Sequence, residues 1–194
     1  MEKFLNNIFN RKADGNTAIV VLSLFTFIIV SLFGIFIMFH KVMMNGAEGV
    51  QDDVMLSNLA VYKNIDRNIL AVDSNDLEIT DINSALQTFK YYLSKNMKLD
   101  SNLKPMIGSV VANQVIVNEF TIYNVKGSIV KISTYNNGTF TEREVADKIT
   151  NPVITSNGII VKNTSIHATI SYSVNLLFGQ TKEVTTSVDT DIVK

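Results

Sequence analysis

One uninterrupted apolar run, from Thr17 to Phe39, constrains this chain more than any other feature; it reads TAIVVLSLFTFIIVSLFGIFIMF and holds no charge. As a helix rising about 1.5 Å per residue it is roughly 35 Å long, enough to cross a hydrocarbon core of about 30 Å. Lipid offers backbone amides no partner, so a helix is the form open to such a segment. The rival reading is a cleaved secretory signal. That would have an apolar region of about 7–15 residues ending at a small-x-small site. This run is longer, and the nearest triplet, Asn45-Gly46-Ala47, lacks the small apolar first residue. The expectation is a retained transmembrane helix over residues 16–40 behind a tail over residues 1–15.

Lys3, Arg11 and Lys12 precede the run, and only His40 and Lys41 follow it closely. The excess of Lys and Arg on the N-terminal side places the tail in the cytoplasm and residues 41–194 outside, by the positive-inside rule. Setting aside the basic and acidic residues before position 41 (Lys3, Arg11, Lys12, Glu2, Asp14) leaves the outer part at net −2, from chain totals of 17 basic and 18 acidic residues. A nucleic-acid partner would need a basic patch, so none is expected. With no cysteine, an exported domain must rest on its apolar core alone.

Within the membrane segment Ser23, Thr26, Ser31 and Gly34 share one side of a helical wheel, with Phe27 projecting among them. Small residues let helices approach closely in lipid, which makes these four a candidate helix-packing face. Beyond the run, apolar or small residues recur at Met43, Ala47, Val50, Val54, Val61, Ile65 and Ile69. That spacing predicts a stalk within residues 41–72, helical from about Gln51 to Leu70, with a bend or break at Gly46 and Gly49. The stripe needs a cover, supplied by the chain's own sheet or by a neighbouring copy.

Residues 73–194 read as an α+β domain. After the turn Asp73-Ser74-Asn75-Asp76, Ile82, Leu86, Phe89 and Leu93 form the stripe of a second, short helix with Asp81 as its cap. From about Gln114 the period changes to two. Strands are expected over 115–123, 128–135 and 139–145, with Asn136-Asn137-Gly138 as a hairpin turn. A fourth strand alternates Ile166, Ala168, Ile170, Tyr172 and Val174 with a polar face that includes His167. A fifth carries Val184, Thr186, Val188, Thr190 and Ile192, and pairs with the fourth through a hairpin near Phe178-Gly179. The expected whole is a transmembrane helix continuing into a stalk helix, a short second helix, then an antiparallel sheet of five or six strands.

Signs of chemistry are few. His40 borders the membrane, and His167 has no acidic or Cys neighbour at ligand spacing along the chain. No phosphate loop, His-Glu-x-x-His pattern or nucleophile elbow occurs, so no catalytic residue, metal or cofactor is expected and the chain is not read as an enzyme. Asp52 and Asp53 point about 100° apart on a helix and form a solvated face. Glu142 and Glu144 read as part of an exposed charged edge strand. The sequon Asn163-Thr164-Ser165 matters only in a host that glycosylates it. Leu176, Leu177 and Phe178 make an apolar loop tip, either a partner contact or a lid on the core.

Asp14-Gly15-Asn16-Thr17-Ala18-Ile19-Val20, just after Arg11-Lys12 and ahead of the apolar helix, resembles the start of TadE/TadG-like proteins of tight-adherence (Flp-type) pilus systems. Val50-Gln51-Asp52-Asp53 through Leu59-Ala60-Val61 is similar to that family's post-membrane helix. The resemblance covers roughly residues 11–65. It implies a pilin-like or minor pseudopilin subunit, anchored by its N-terminal helix, displaying its domain outside and working with other pilus or secretion-system subunits. It also implies a possible processing site at Gly15 and Asn16. Val20 stands at the fifth mature position, where cleaved pilins carry Glu, so the uncleaved TadG-like variety fits better. Self-association through the transmembrane and stalk helices is a further expectation. The alternative is a membrane-tethered extracellular binding module, adhesin- or sensor-like.

Overall fold

In the computed structural model, which describes residues 15–72, 77–176 and 179–191, the apolar run is helical and the helix outlasts it. α1 spans Gly15–Val61 and contains both Gly46 and Gly49, so the expected break there is absent. A helical glycine costs only about 1 kcal/mol relative to alanine. The buried side chains of Val50 and Val54 hold the turns that follow in place. The chain divides between Gly46 and Ala47 into two compact units. In the first, the apolar window has a mean hydropathy of 2.8 and none of it is buried.

The second unit differs from the expected stalk. α1 ends at Val61 rather than continuing to Leu70; a 3₁₀ turn, Tyr62–Asn64, and a short helix α2, Arg67–Val72, follow it. Tertiary bonds override the local pattern here. The Tyr62 hydroxyl donates to the Thr190 carbonyl at 2.6 Å, and the Asp66 amide donates to the Glu78 carbonyl at 2.9 Å. Ile65 leaves the helical region at ψ 133°.

α3, Ile82–Asn96, starts at Asp81, whose side chain accepts the Ser84 amide at 3.0 Å. Its stripe Ile82, Leu86, Phe89 and Leu93 is buried. The sheet has five strands, β1 (Ile116–Lys126), β2 (Ile129–Asn136), β3 (Thr139–Val145), β4 (Ser165–Asn175) and β5 (Thr181–Asp191). They lie in the order β3-β2-β1-β4-β5 with every neighbouring pair antiparallel.

The side chains of α1 and α3 cover one face of the sheet. Val50, Val54 and Val61 join Phe89, Leu93, Phe120, Ile122, Ile166 and Ile170 in the main core. The Phe89 and Phe120 rings lie 5.2 Å apart between centroids. α1 also covers part of the β5 edge, where Asn58 Nδ2 donates to the Val188 carbonyl at 3.3 Å. Such capping protects backbone groups that an open edge would leave unpaired. The other face is covered by the segment 147–164, whose Val153 and Val161 pack with Tyr123, Val130 and Ile132. This strap folds on itself through an Ile154–Ile160 bridge and a turn in which Gly158 takes a positive φ of 83°.

Candidate functional site

Strand alternation places Glu119 and Thr121 of β1, His167 and Thr169 of β4, and Ser187 and Asp189 of β5 on the strap-covered face. His167 stands opposite Asp189, and Thr169 opposite Ser187. The sequence placed His167 on the polar face of its strand, with no acidic neighbour at ligand spacing along the chain. The structure covers that polar face and adds a partner from another strand: the His167 side chain is 0% exposed, and Asp189 Oδ1 lies 2.7 Å from its Nδ1. The neighbour escapes a linear reading because it comes from the next strand. A hairpin turning about residue 178 pairs 167 with 189, so the anticipated β4–β5 hairpin carried the signal.

Nδ1 bonds the Asp189 carboxylate, and Nε2 lies 3.0 Å from Thr169 Oγ1, 3.4 Å from Ser187 Oγ and 3.8 Å from Glu119 Oε2. The strap completes the network. Thr155 Oγ1 and Asn157 Nδ2 donate to Asp189 Oδ2 at 3.0 and 2.9 Å, and Ser156 Oγ donates to Glu119 Oε1 at 3.0 Å. His167, Asp189 and Glu119 thereby gain the partners that burial demands, whereas Ser165 Oγ on the same face has none. Burial, reinforced by the Glu119 and Asp189 charges, pushes the neighbouring Tyr123 hydroxyl up to about 12. Burial and then Asp189 raise the Asp191 carboxyl.

Hydroxyl, imidazole and carboxylate stand in the relative order of a nucleophile–base–acid relay. In this structure Asp189 Oδ2, the acceptor a relay would leave to the protein interior, fastens the strap. The arrangement holds the 147–164 segment to the sheet. Among the described residues no group of three or more His, Cys, Asp or Glu is placed to hold a metal ion.

The anticipated site residues are not gathered into one place. Ser23, Thr26 and Gly34 are exposed on α1, with Ser31 half-buried. Thr26 Oγ1 is bonded to its own helix, donating to the Leu22 carbonyl at 2.9 Å. A Cβ placed on Gly34 would meet nothing within 4 Å among the described residues. Gly15 opens α1, and the residues before it lie outside those described. Leu176 is half-buried, with its amide on the Gln180 carbonyl at 2.7 Å; Leu177 and Phe178 lie outside the described residues.

Glu142 and Glu144 sit on the exposed edge strand β3. Asp147 closes a turn by accepting the Ile149 amide and the Thr150 hydroxyl, both at 2.9 Å, which lowers its carboxyl pKa. A recess of about 210 Å³, which periodicity did not reveal, is lined by Leu77, Glu78, Asn124, Ile129, Lys131 and Glu144 among others. Lys131 lies 3.8 Å from Glu78 across it. Comparison with protein-family models, curated proteins and solved structures gives no match.

Proposed function

We propose that this chain is a membrane-anchored structural subunit of a pilin-like or pseudopilin-like kind, working with the other subunits of a pilus or secretion apparatus. One observation carries the reading: the helix that supplies the apolar span also supplies core residues of the sheet domain, Val50, Val54 and Val61. A freely hinged tether would call for a flexible Gly/Ser-rich coil. Here residues 39–50 are helical. The resemblance of residues 11–65 to TadE/TadG-like proteins supports the same reading. The basic excess before the helix favours a cytoplasmic tail and an extracytoplasmic domain.

The test is made in the native host. Protease added to intact cells should remove the domain and leave the helix in the membrane fraction. The mature protein should begin at Met1 or at Asn16 by mass spectrometry, and crosslinked membranes should yield it together with secretion-apparatus subunits. A domain protected until lysis would reverse the orientation. A start just after Ala47 would make the domain a secreted one, and recovery only as an isolated chain would favour the tethered binding module.

A further inference from the structure

The domain presents an apolar turn at the end where α1 enters it. α3 runs back along α1. Near its start Ser84 Oγ accepts from Asn64 Nδ2 at 2.9 Å, and at its end Asn96 Nδ2 donates to the Asp53 carbonyl and to Ser57 Oγ at 3.3 and 3.2 Å. The chain beyond α3 therefore starts beside residue 53, near the point where the domain begins at Ala47. That chain is strapped in place. The Met106 amide donates to the Lys98 carbonyl at 3.0 Å, Ser109 Oγ donates to the Met97 carbonyl at 2.8 Å, and the Ala112 amide donates to the Ser173 carbonyl at 2.7 Å.

Within it Met106-Ile107-Gly108-Ser109 is a closed β-turn: the Ser109 amide donates to the Met106 carbonyl at 3.0 Å and Gly108 takes a φ of 85°. Glycine is the residue such a turn position tolerates. The turn holds Ile107 clear of the domain at 104% exposure, with Met106 and Val110 about half exposed beside it. Lys98 Nζ would lie 3.4 Å from a Cβ on Gly108, which places its ammonium over the turn. Asp100, the nearest acid in sequence, spends its carboxylate on the amides of Asn102 and Lys104 at 2.8 Å each.

We propose that this turn, Met106 to Val110, inserts Ile107 into the interface of the bilayer that anchors the chain. Connectivity argues for lipid as the occupant. From Phe39 to Ala47 is roughly 12 Å of helix. The headgroup layer takes up about 5–8 Å of that, so by chain connection alone Ala47, where the domain begins, lies close to the surface. A rigid turn with an apolar tip and a lysine above it suits an interface that is apolar below and carries phosphates above. The inference rests on membrane anchorage alone, not on the pilus reading.

The chain has no tryptophan, so Ile107→Trp introduces a single fluorophore at an exposed position. The full-length variant is reconstituted in phosphatidylcholine vesicles, with and without acyl-chain bromine near the headgroups. Ile149→Trp serves as the control; Ile149 is 81% exposed, next to Lys148, whose amide binds the Ser128 carbonyl in the β1–β2 turn at the opposite end of β1. Insertion predicts blue-shifted emission from position 107, at least twofold quenching by the brominated lipid and protection from iodide, with position 149 showing none of these. Water-like emission from position 107 in vesicles that still float with the protein would overturn the proposal while leaving the anchor standing. A blue shift that ignores bromine but grows with the protein-to-lipid ratio would overturn it in favour of a second copy of the chain.

Discussion

The two faces of the sheet are covered by different means. Over one face α1 and α3 supply a continuous apolar layer: Phe89, Leu93, Phe120, Ile122, Ile166 and Ile170 are buried together. Over the other a strap with little regular structure is held by a small apolar foot, Val153 and Val161, and by bonds to Asp189 and Glu119. Apolar burial is non-directional and tolerates repacking, whereas a buried polar network stabilises only when every member is partnered. Damage to the helix face should therefore be graded with volume. Damage to the strap face should depend on which atom is left alone.

The largest effect should come from the helix face. Phe89→Ala removes the ring that packs on Phe120 and should cost about 3–5 kcal/mol in denaturant unfolding of the reconstituted chain. Asp189→Ala comes next. It removes the acceptor of His167 Nδ1 and of two strap donors and should cost about 2–4 kcal/mol. Fast hydrogen exchange should then appear in residues 147–164 while β1 stays protected. Equal exchange across both faces would break the comparison, because the strap would then not be a separate unit.

A finer test lies at the border of the helix layer. Asn124 Nδ2 and Oδ1 both bind the backbone of Ile79, at 2.9 Å each. Asn124→Ala should cost about 1–2 kcal/mol and loosen the 77–80 segment, as read by its exchange. The smallest effect is electrostatic. The folded pKa of Asp191 is raised, so the stability it contributes is present below its ordinary value of 3.8 and is lost as pH rises through the folded value. Asp191→Asn should therefore raise the melting temperature slightly at pH 7 and leave it unchanged at pH 3. A gain at pH 3 as large as that at pH 7 would separate the effect from ionisation.

Much of the helix face was legible along the chain, because helical and strand periods report which side chains leave water together. Ile82, Leu86, Phe89 and Leu93 came out as one stripe, the hairpin at Asn137-Gly138 was visible as a dipeptide, and Asp81 was recognisable as a cap. The strap was not legible. Residues 147–164 have no period, and their function as a cover depends on a sheet whose register no local window contains. The burial of His167 was hidden for the same reason: alternation tells which face a residue occupies, not whether a segment from elsewhere in the chain covers that face.

The sequence by itself determined a helix long and apolar enough to span a membrane and the order of the main elements, since length, hydropathy and period are properties of neighbouring residues. Only the tertiary structure decided where α1 stops, because Tyr62 and Asp66 find partners in Thr190 and Glu78 that are distant along the chain. It also decided that His167 faces Asp189 beneath the strap and that Ile107 stands on a rigid turn at the end where the helix enters. The reason is common to all three. A contact between strands or across a layer is chosen by closing a loop and burying what lies inside it, and that balance is struck over the whole fold rather than within any segment of it.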